Sequence, residues 1–140
     1  MDEVSLCVPL GHAFHAEKLP WPFNPQSFVP YWAKLYDMKS GNIFGWWKDG
    51  QLVGAIGGLR FIEPNTGMIL AQEAFWFVGK SFRGGIGAVR LWQRMEQWAY
   101  AEGAQEVFMI HLDDEQAECI GRMYLRRGYM KLETTYRKVL

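Results

Sequence analysis

The stretch SFRGGIGAVRLW, residues 81 to 92, decides how this chain is interpreted. Its three glycines, Gly84, Gly85 and Gly87, follow an arginine and lead directly into an amphipathic segment. Glycine costs about 1 kcal/mol relative to alanine inside a helix, so a cluster at a helix entrance needs a reason. One reason is the close approach of an anion, because the free N–H groups of a helix N-terminus carry partial positive charge. The other is a tight strand-to-helix turn that binds nothing.

Composition limits the class of protein. A chain of 140 residues with 49% hydrophobic content is long enough for one domain and too short for two ordinary ones. A formal net charge of +0 argues against a nucleic-acid partner. The two cysteines, Cys7 and Cys119, have neither disulfide-framework nor metal-ligand spacing, which indicates a reducing cytoplasm and no metal. No apolar run approaches the roughly 20 residues of a membrane helix. We therefore expect one cytoplasmic domain over residues 1–140, with no membrane partner.

The residues before the glycine cluster predict helices and then strands. Residues 3–8 fit either a strand or a helix. Prolines at first helical positions predict helices over 9–18 and 25–36, the second capped by Asn24. Asp49-Gly50 and the segment Pro-Asn-Thr-Gly at 64–67 are turn signals between apolar stretches. They predict three antiparallel strands, near 42–48, 51–62 and 67–78.

The residues after the cluster alternate between helix and strand. The apolar periodicity predicts a helix over 85–102 that ends at Gly103. The later elements are a short strand parallel to the preceding one over 105–112, a helix over 115–127 that ends at Gly128, and a final strand or hairpin over 129–140. This order predicts an α+β fold with three layers, in which helices flank a mixed, mainly antiparallel sheet.

The segment Arg83-Gly84-Gly85-Ile86-Gly87-Ala88 resembles the pattern Gln/Arg-x-x-Gly-x-Gly/Ala of the GNAT superfamily of acyl-CoA-dependent N-acyltransferases. Its arginine and its final small residue match, whereas Ile86 replaces the middle glycine. The stretch RGG followed by AVRL is similar to the phage-associated branch of the family, in which that glycine is often absent. The resemblance implies acetyl-CoA as the co-substrate. It also implies that the N–H groups of residues 84 to 88 bind the coenzyme A pyrophosphate, with the charge of Arg83 beside them.

A second segment carries the same resemblance. Tyr124, Gly128 and Tyr129 match the family's C-terminal pattern Tyr-x-x-x-Gly-Phe. In many members this tyrosine protonates the departing coenzyme A thiolate, so the resemblance makes Tyr124 a candidate general acid. The alternative is that Tyr124 only packs with Ile120 and Met123 on the apolar face of its helix.

Acyl transfer also needs an oxyanion donor and a route for the amine proton. A backbone N–H near Phe77 and Val78, at the end of the third strand, is the candidate donor. Glu73 is the only carboxylate in that strand, and strand alternation places it on one face with Phe75 and Phe77. An apolar setting raises the pKa of a carboxylate and suits it to act as a base. The alternatives are a solvated or lysine-paired Glu73 and a water chain that removes the proton.

Other polar and aromatic residues are weaker candidates for catalysis or for binding the acceptor. His111 ends the predicted crossover strand, and His12 and His15 lie in the first helix without a carboxylate or cysteine partner. The segment 21–23 and the pair at 46–47 are aromatic, and they line either an acceptor pocket or the core.

The sequence therefore predicts an enzyme that moves an acetyl group from acetyl-CoA directly to a primary amine of a small molecule or peptide. The alternative is a non-catalytic GNAT-like domain that binds acyl-CoA or a partner. A third interpretation, a toxin that acylates aminoacyl-tRNA, lacks the basic surface that such a substrate favours. The sequence leaves open whether the chain forms a homodimer.

Overall fold

A computed structural model of the chain describes residues 3 to 140. Its backbone contacts divide the chain into two compact units, one that ends at Phe108 and one that runs from Met109 to Leu140. The single domain over residues 1–140 stays a prediction.

The first unit begins with helices. Their bounds are a 3-10 helix over Glu3–Cys7, α1 over Val8–Lys18 and α2 over Pro25–Asp37. The side-chain oxygen of Asn24 accepts the N–H groups of Gln26 and Ser27, at 3.1 and 3.3 Å. The predicted cap is therefore confirmed, and residues 3–8 take the helical alternative.

A four-stranded sheet follows, in the order β1-β2-β3-β4. Its strands are β1 over Gly41–Lys48, β2 over Gln51–Ile62, β3 over Ile69–Val78 and β4 over Glu106–Phe108. The first three are antiparallel, and β4 is parallel to β3. Asp49 and Gly50 both have positive φ, at 49° and 76°, as a tight hairpin turn requires. The mixed, mainly antiparallel sheet is confirmed, although β4 is shorter than the predicted strand.

Helix α3 connects β3 to β4 and spans Ile86–Ala101. It buries four apolar residues spaced along one face, Leu91, Trp92, Met95 and Ala99. Gly103, at φ 81°, ends the helix and donates its N–H to the Tyr100 carbonyl at 3.0 Å. The Trp92 ring contacts Trp76 on β3, whereas the α2 residue Trp32 contacts Phe75. Because neighbouring strand residues point to opposite faces, α2 and α3 cover opposite faces of the sheet.

A β-bulge interrupts the pairing of β2 with β3. Gly57 lies opposite Phe75 and Gly58 lies opposite Glu73, so Ala74 is an extra residue in β3. Such an extra residue reverses the alternation of faces on its two sides.

The second unit contains one regular helix, α4 over Ala117–Arg126, which Gly128 at φ 88° follows. The prediction of a final strand or hairpin over 129–140 is wrong, because these residues have no regular structure. Met130, Leu132 and Tyr136 are 89%, 73% and 90% exposed. A strand gains its stability from ladder hydrogen bonds and packing on neighbours, which such exposed side chains do not supply. In the described residues, no helix combines the length and the hydropathy needed to cross a membrane.

Candidate functional site

The glycine cluster forms the turn between β3 and α3. A short 3-10 helix, Lys80–Phe82, precedes Arg83, and Gly84 has a φ of 81°, where glycine is favoured. Gly85 is the N-cap of α3, and no side chain caps the helix. The first N–H groups of α3 have no intrahelical acceptor, so this end of the helix can bind an anion.

The fold requires glycine at some of these three positions but not at all of them. Gly84 is required by its positive φ, and a Cβ at Gly87 would lie 2.6 Å from the ring of Trp46. Gly85 has neither constraint, since its backbone is extended and a Cβ there would meet only the Phe82 carbonyl, at 3.9 Å. The fold therefore accounts for Gly84 and Gly87 but does not require glycine at 85, which is the residue closest to the uncapped helix end.

Arg83 connects this turn to α1. Its guanidinium donates two hydrogen bonds to the Glu17 carboxylate, at 2.6 and 2.8 Å, and its Nε donates to the Val78 carbonyl at 2.8 Å. The guanidinium also lies 5.1 Å from the centre of the Phe77 ring. The hydrogen bond from Arg83 is the main reason why the pKa of the Glu17 carboxyl is below its ordinary value. The charge of Arg83 is thus balanced within the protein.

Sequence reasoning missed Glu17 entirely. It lies 66 positions from Arg83, and nothing in the pattern around either residue indicates the pairing. Only the packing of α1 beside the end of β3 brings the two side chains together.

The edge of β3 that faces away from β2 extends beyond its pairing with β4. The last pair in the register joins Gln72 to Phe108, and β3 continues to Val78. The Gly79 N–H donates to the Val53 carbonyl of β2 at 2.9 Å. Successive N–H groups of a strand point to opposite edges, so the Val78 N–H is directed away from β2.

Phe77 and Val78, the two candidate residues at the end of β3, therefore differ in geometry. By the same alternation the Phe77 N–H is directed toward β2. The Phe77 ring lies on the α1 side of the sheet, 5.1 Å from the ring of Phe14. Of the two backbone N–H groups, only that of Val78 has the orientation expected of an oxyanion donor.

Glu73 lies on the other face of the sheet. A Cβ on Gly58, its partner across the strands, would lie 2.8 Å from Trp98 of α3, so this face is the α3 face. The expectation that Glu73 shares a face with Phe75 and Phe77 is wrong, because the bulge at Ala74 reverses the alternation between them. Glu73 is 6% exposed beneath α3.

Tyr124 is buried within the second unit, at 6% exposure. Its hydroxyl donates a hydrogen bond to the Ile110 carbonyl at 2.9 Å. Its ring lies against His111 and Tyr129, with centroid distances of 6.4 and 5.7 Å. The side chain thus has a packing role in this unit, and its single O–H donor is engaged.

The aromatic residues considered for an acceptor pocket lie in different places. Phe23 lines a cavity beneath α1 and α2. Trp46 and Trp47 line a groove on the other side of the sheet, beside the basic residues Arg90 and Arg94 of α3. Among residues 3–140, no cluster of three or more histidine, cysteine or acidic side chains is placed to hold a metal ion.

Comparisons with known proteins agree with this architecture. The family model of the acetyltransferase (GNAT) family matches residues 12–129. No curated protein matches the chain. One similar solved structure is an acetyltransferase of Trypanosoma brucei, with 15% identity and a TM-score of 0.73 over 100% of this chain and 96% of that one. Another is a ribosomal-protein-alanine N-acetyltransferase of Brucella melitensis biovar Abortus 2308, with 18% identity and a TM-score of 0.72 over 99% of this chain and 94% of that one. An aminoglycoside acetyltransferase from an uncultured soil metagenomic sample is also similar (12%, 0.72, 99% and 88%). At these identities the structures share the fold with this chain.

Proposed function

We propose that this chain, which belongs to the GNAT acetyltransferase family, transfers an acetyl group from acetyl-CoA to a primary amine. The observation that carries the proposal is the uncapped N-terminus of α3 with Gly85 at its N-cap. A residue without a side chain, at a position where the fold does not require glycine, leaves room for a ligand to reach the first N–H groups. The proposed acceptor is a primary amine of a small molecule or a peptide. The proposed location of the reaction is the cytoplasm.

The cradle for the coenzyme consists of the N–H groups at positions 84 to 88. Their partial positive charge suits a pyrophosphate, which is anionic and rich in hydrogen-bond acceptors. Because Arg83 is held by Glu17, we assign it the role of fixing the turn against α1. Backbone donors then supply most of the attraction for the pyrophosphate.

The edge of β3 beyond its pairing with β4 is the proposed site of the thioester arm, the part of acetyl-CoA that carries the acetyl group. That arm carries two amides, which can pair with backbone groups of a strand edge as a further strand would. The Val78 N–H is directed to this edge and donates a hydrogen bond to the arm or to the developing oxyanion. A backbone donor aimed at an oxyanion contributes a few kcal/mol of transition-state stabilisation in other acyl transfers.

Tyr124 is the proposed acid for the thiolate, on the family pattern alone, and its proton must leave the Ile110 carbonyl for this role. Glu73 faces α3, so we favour water over this carboxylate for removal of the amine proton. We further propose a phage-associated branch of the family, on the basis of the stretch from residue 83 to residue 91.

One alternative function has two observations in its favour. The engaged hydroxyl of Tyr124 and the burial of Glu73 beneath α3 suit a domain that binds acyl-CoA without catalysis. The two functions share the coenzyme cradle and differ only in turnover.

Thermal unfolding with and without acetyl-CoA tests the shared step. A ligand at a hundred times its Kd stabilises the folded state by about 2.7 kcal/mol. Dephospho-CoA and acetate are the control ligands. The absence of a shift at millimolar acetyl-CoA would refute both functions. A shift without release of free thiol, in a screen of amines and peptides, would leave only the binding function.

A further inference from the structure

A cavity of about 320 Å³ lies between α1, α2 and the sheet, within the first unit. Seven of its fifteen lining residues are phenylalanine, tyrosine or tryptophan, among them Phe14, Phe28, Trp32 and Phe75. Small-molecule sites in proteins measure about 300 to 1,000 Å³, so this cavity suits a group about the size of one aromatic ring.

The lining of the cavity has no acidic or basic side chain among the described residues, apart from the imidazole of His15. Burial raises the pKa of the Cys7 thiol, which also lines the cavity, to about 11, so it stays neutral. A polycationic ligand needs carboxylates to replace the water that it loses on binding. A single ammonium on an apolar body needs only aromatic faces, which attract cations.

Two rings of this lining can form hydrogen bonds, those of Tyr31 and His15, and a close contact assigns the tautomer of His15. Its Nδ1 lies 2.9 Å from the Trp21 carbonyl, and a carbonyl can only accept, so Nδ1 carries the proton. The neutral ring then has Nε2 as its acceptor. Contacts with the rings of Phe14 and Phe23, at 5.8 and 5.2 Å, hold the imidazole in place.

The cavity reaches the strand that carries the proposed thioester site. Ala74, the extra residue of the bulge, is exposed and lines the cavity. Phe75 and Phe77, on the same strand, lie between Ala74 and the Val78 N–H. A strand rises about 3.3 Å per residue, so about 13 Å separates Ala74 from Val78. An arm that starts at the glycine turn and follows the edge of β3 therefore runs toward Ala74, whose exposure marks a mouth of the cavity on this strand.

We infer that this cavity binds the apolar side chain of the acceptor, so that the substrate is a primary amine on a single aromatic or branched aliphatic group, with His15 Nε2 accepting an amine N–H. The inference rests on the proposed function for the identity of the acceptor. It distinguishes this chain from enzymes whose acceptors are polyamines or aminosugars.

Calorimetric titration tests the binding step without turnover. We expect 2-phenylethylamine to bind with saturation and spermidine to show none. Ala74→Trp places an indole at the mouth and should weaken 2-phenylethylamine binding at least tenfold. The matched control is Ala101→Trp, at an exposed alanine of α3 outside the cavity, which should change the Kd less than twofold. Thermal melting of both variants reports whether they fold.

His15→Asn keeps a donor for the Trp21 carbonyl and removes the acceptor at Nε2. We expect it to weaken 2-phenylethylamine binding about tenfold. His12→Asn is the matched control on the same helix, because His12 contacts Phe23 but is outside the cavity lining. His15→Gln, whose amide oxygen can replace Nε2, should restore part of the affinity.

The inference would be overturned by a lack of saturable 2-phenylethylamine binding, by equal effects of the tryptophan at 74 and at 101, or by faster acetylation of spermidine than of 2-phenylethylamine. Competition between hexanoyl-CoA and 2-phenylethylamine, with none from acetyl-CoA, would also overturn it, since the cavity would then hold the acyl chain. Saturable binding of 2-phenylethylamine without acetyl transfer would support the cavity and contradict the proposed function. Acetylation of spermidine but not of 2-phenylethylamine would support the proposed function and contradict the inference about the cavity.

Discussion

Gly85→Asp should stabilise the protein and strongly weaken coenzyme binding. Gly85 is the N-cap of α3, with φ −96° and ψ 176°, a backbone that any residue adopts. The nearest atom to an added Cβ is the Phe82 carbonyl oxygen at 3.9 Å, so the new side chain fits without a clash. The substitution therefore tests the ligand cradle without disturbing the fold.

The effect on stability follows from the capping position. Aspartate at an N-cap accepts an orphan N–H of the first turn and places a negative charge at the positive end of the helix dipole. Against glycine these contributions amount to about 0.5–1 kcal/mol. The free energy of unfolding should rise by that amount, and the melting temperature by about 2–4 °C for a chain of this size.

The effect on binding has the opposite sign. A carboxylate about 5 Å from a phosphate charge, at an effective dielectric constant of about 20, is repelled by about 3 kcal/mol. This repulsion weakens acetyl-CoA binding more than a hundredfold, since each 1.4 kcal/mol is a factor of ten. The stabilisation of about 2.7 kcal/mol expected at a hundredfold excess of ligand should therefore fall to about 0.4 kcal/mol or less.

Differential scanning fluorimetry with and without acetyl-CoA measures both effects on one sample. Gly85→Asn is the matched control, because asparagine caps a helix as well as aspartate does and carries no charge. It should gain stability and keep more of the ligand shift than Gly85→Asp. An unchanged Kd for acetyl-CoA in Gly85→Asp would refute the cradle and with it the reasoning from the glycine turn.

Three other substitutions test the remaining assignments. Tyr124→Phe should lower kcat about a hundredfold in steady-state assays, with acetyl-CoA affinity nearly unchanged, whereas equal activity would leave Tyr124 only its packing role. Glu73→Gln should change kcat/KM less than tenfold and keep the acidic limb of the pH profile. A loss of more than tenfold in kcat/KM, together with disappearance of the acidic limb, would make Glu73 the base. Glu17→Gln should lower the free energy of unfolding by about 1 kcal/mol at pH 7 in urea titrations. Since Arg83 lowers the pKa of Glu17, this contribution is present above the ordinary pKa of 4.5 and disappears as the pH falls below it, so wild type and variant should converge near pH 3. A constant difference would contradict the ion pair.

The sequence alone determined those features that depend on neighbouring residues. The hairpin at Asp49-Gly50, the cap at Asn24 and the helix end at Gly103 are all as predicted, because each follows from local backbone geometry and local hydrogen bonds. Together with the apolar periodicity, they were sufficient to predict the order of elements up to β4. The glycine turn was recognised for the same reason, since its residues are contiguous.

Only the tertiary structure decided how distant residues combine. The bulge at Ala74, which turns Glu73 toward α3, is a property of the pairing with β2, and no window of β3 alone indicates it. The pair of Arg83 with Glu17 likewise exists because α1 packs beside the end of β3. Residues 129–140 alternate as a strand does, yet they have no regular structure, because a strand also needs a partner edge and a buried face. Register, ion pairing and cavities depend on contacts across the whole chain, which the pattern of any one segment does not contain.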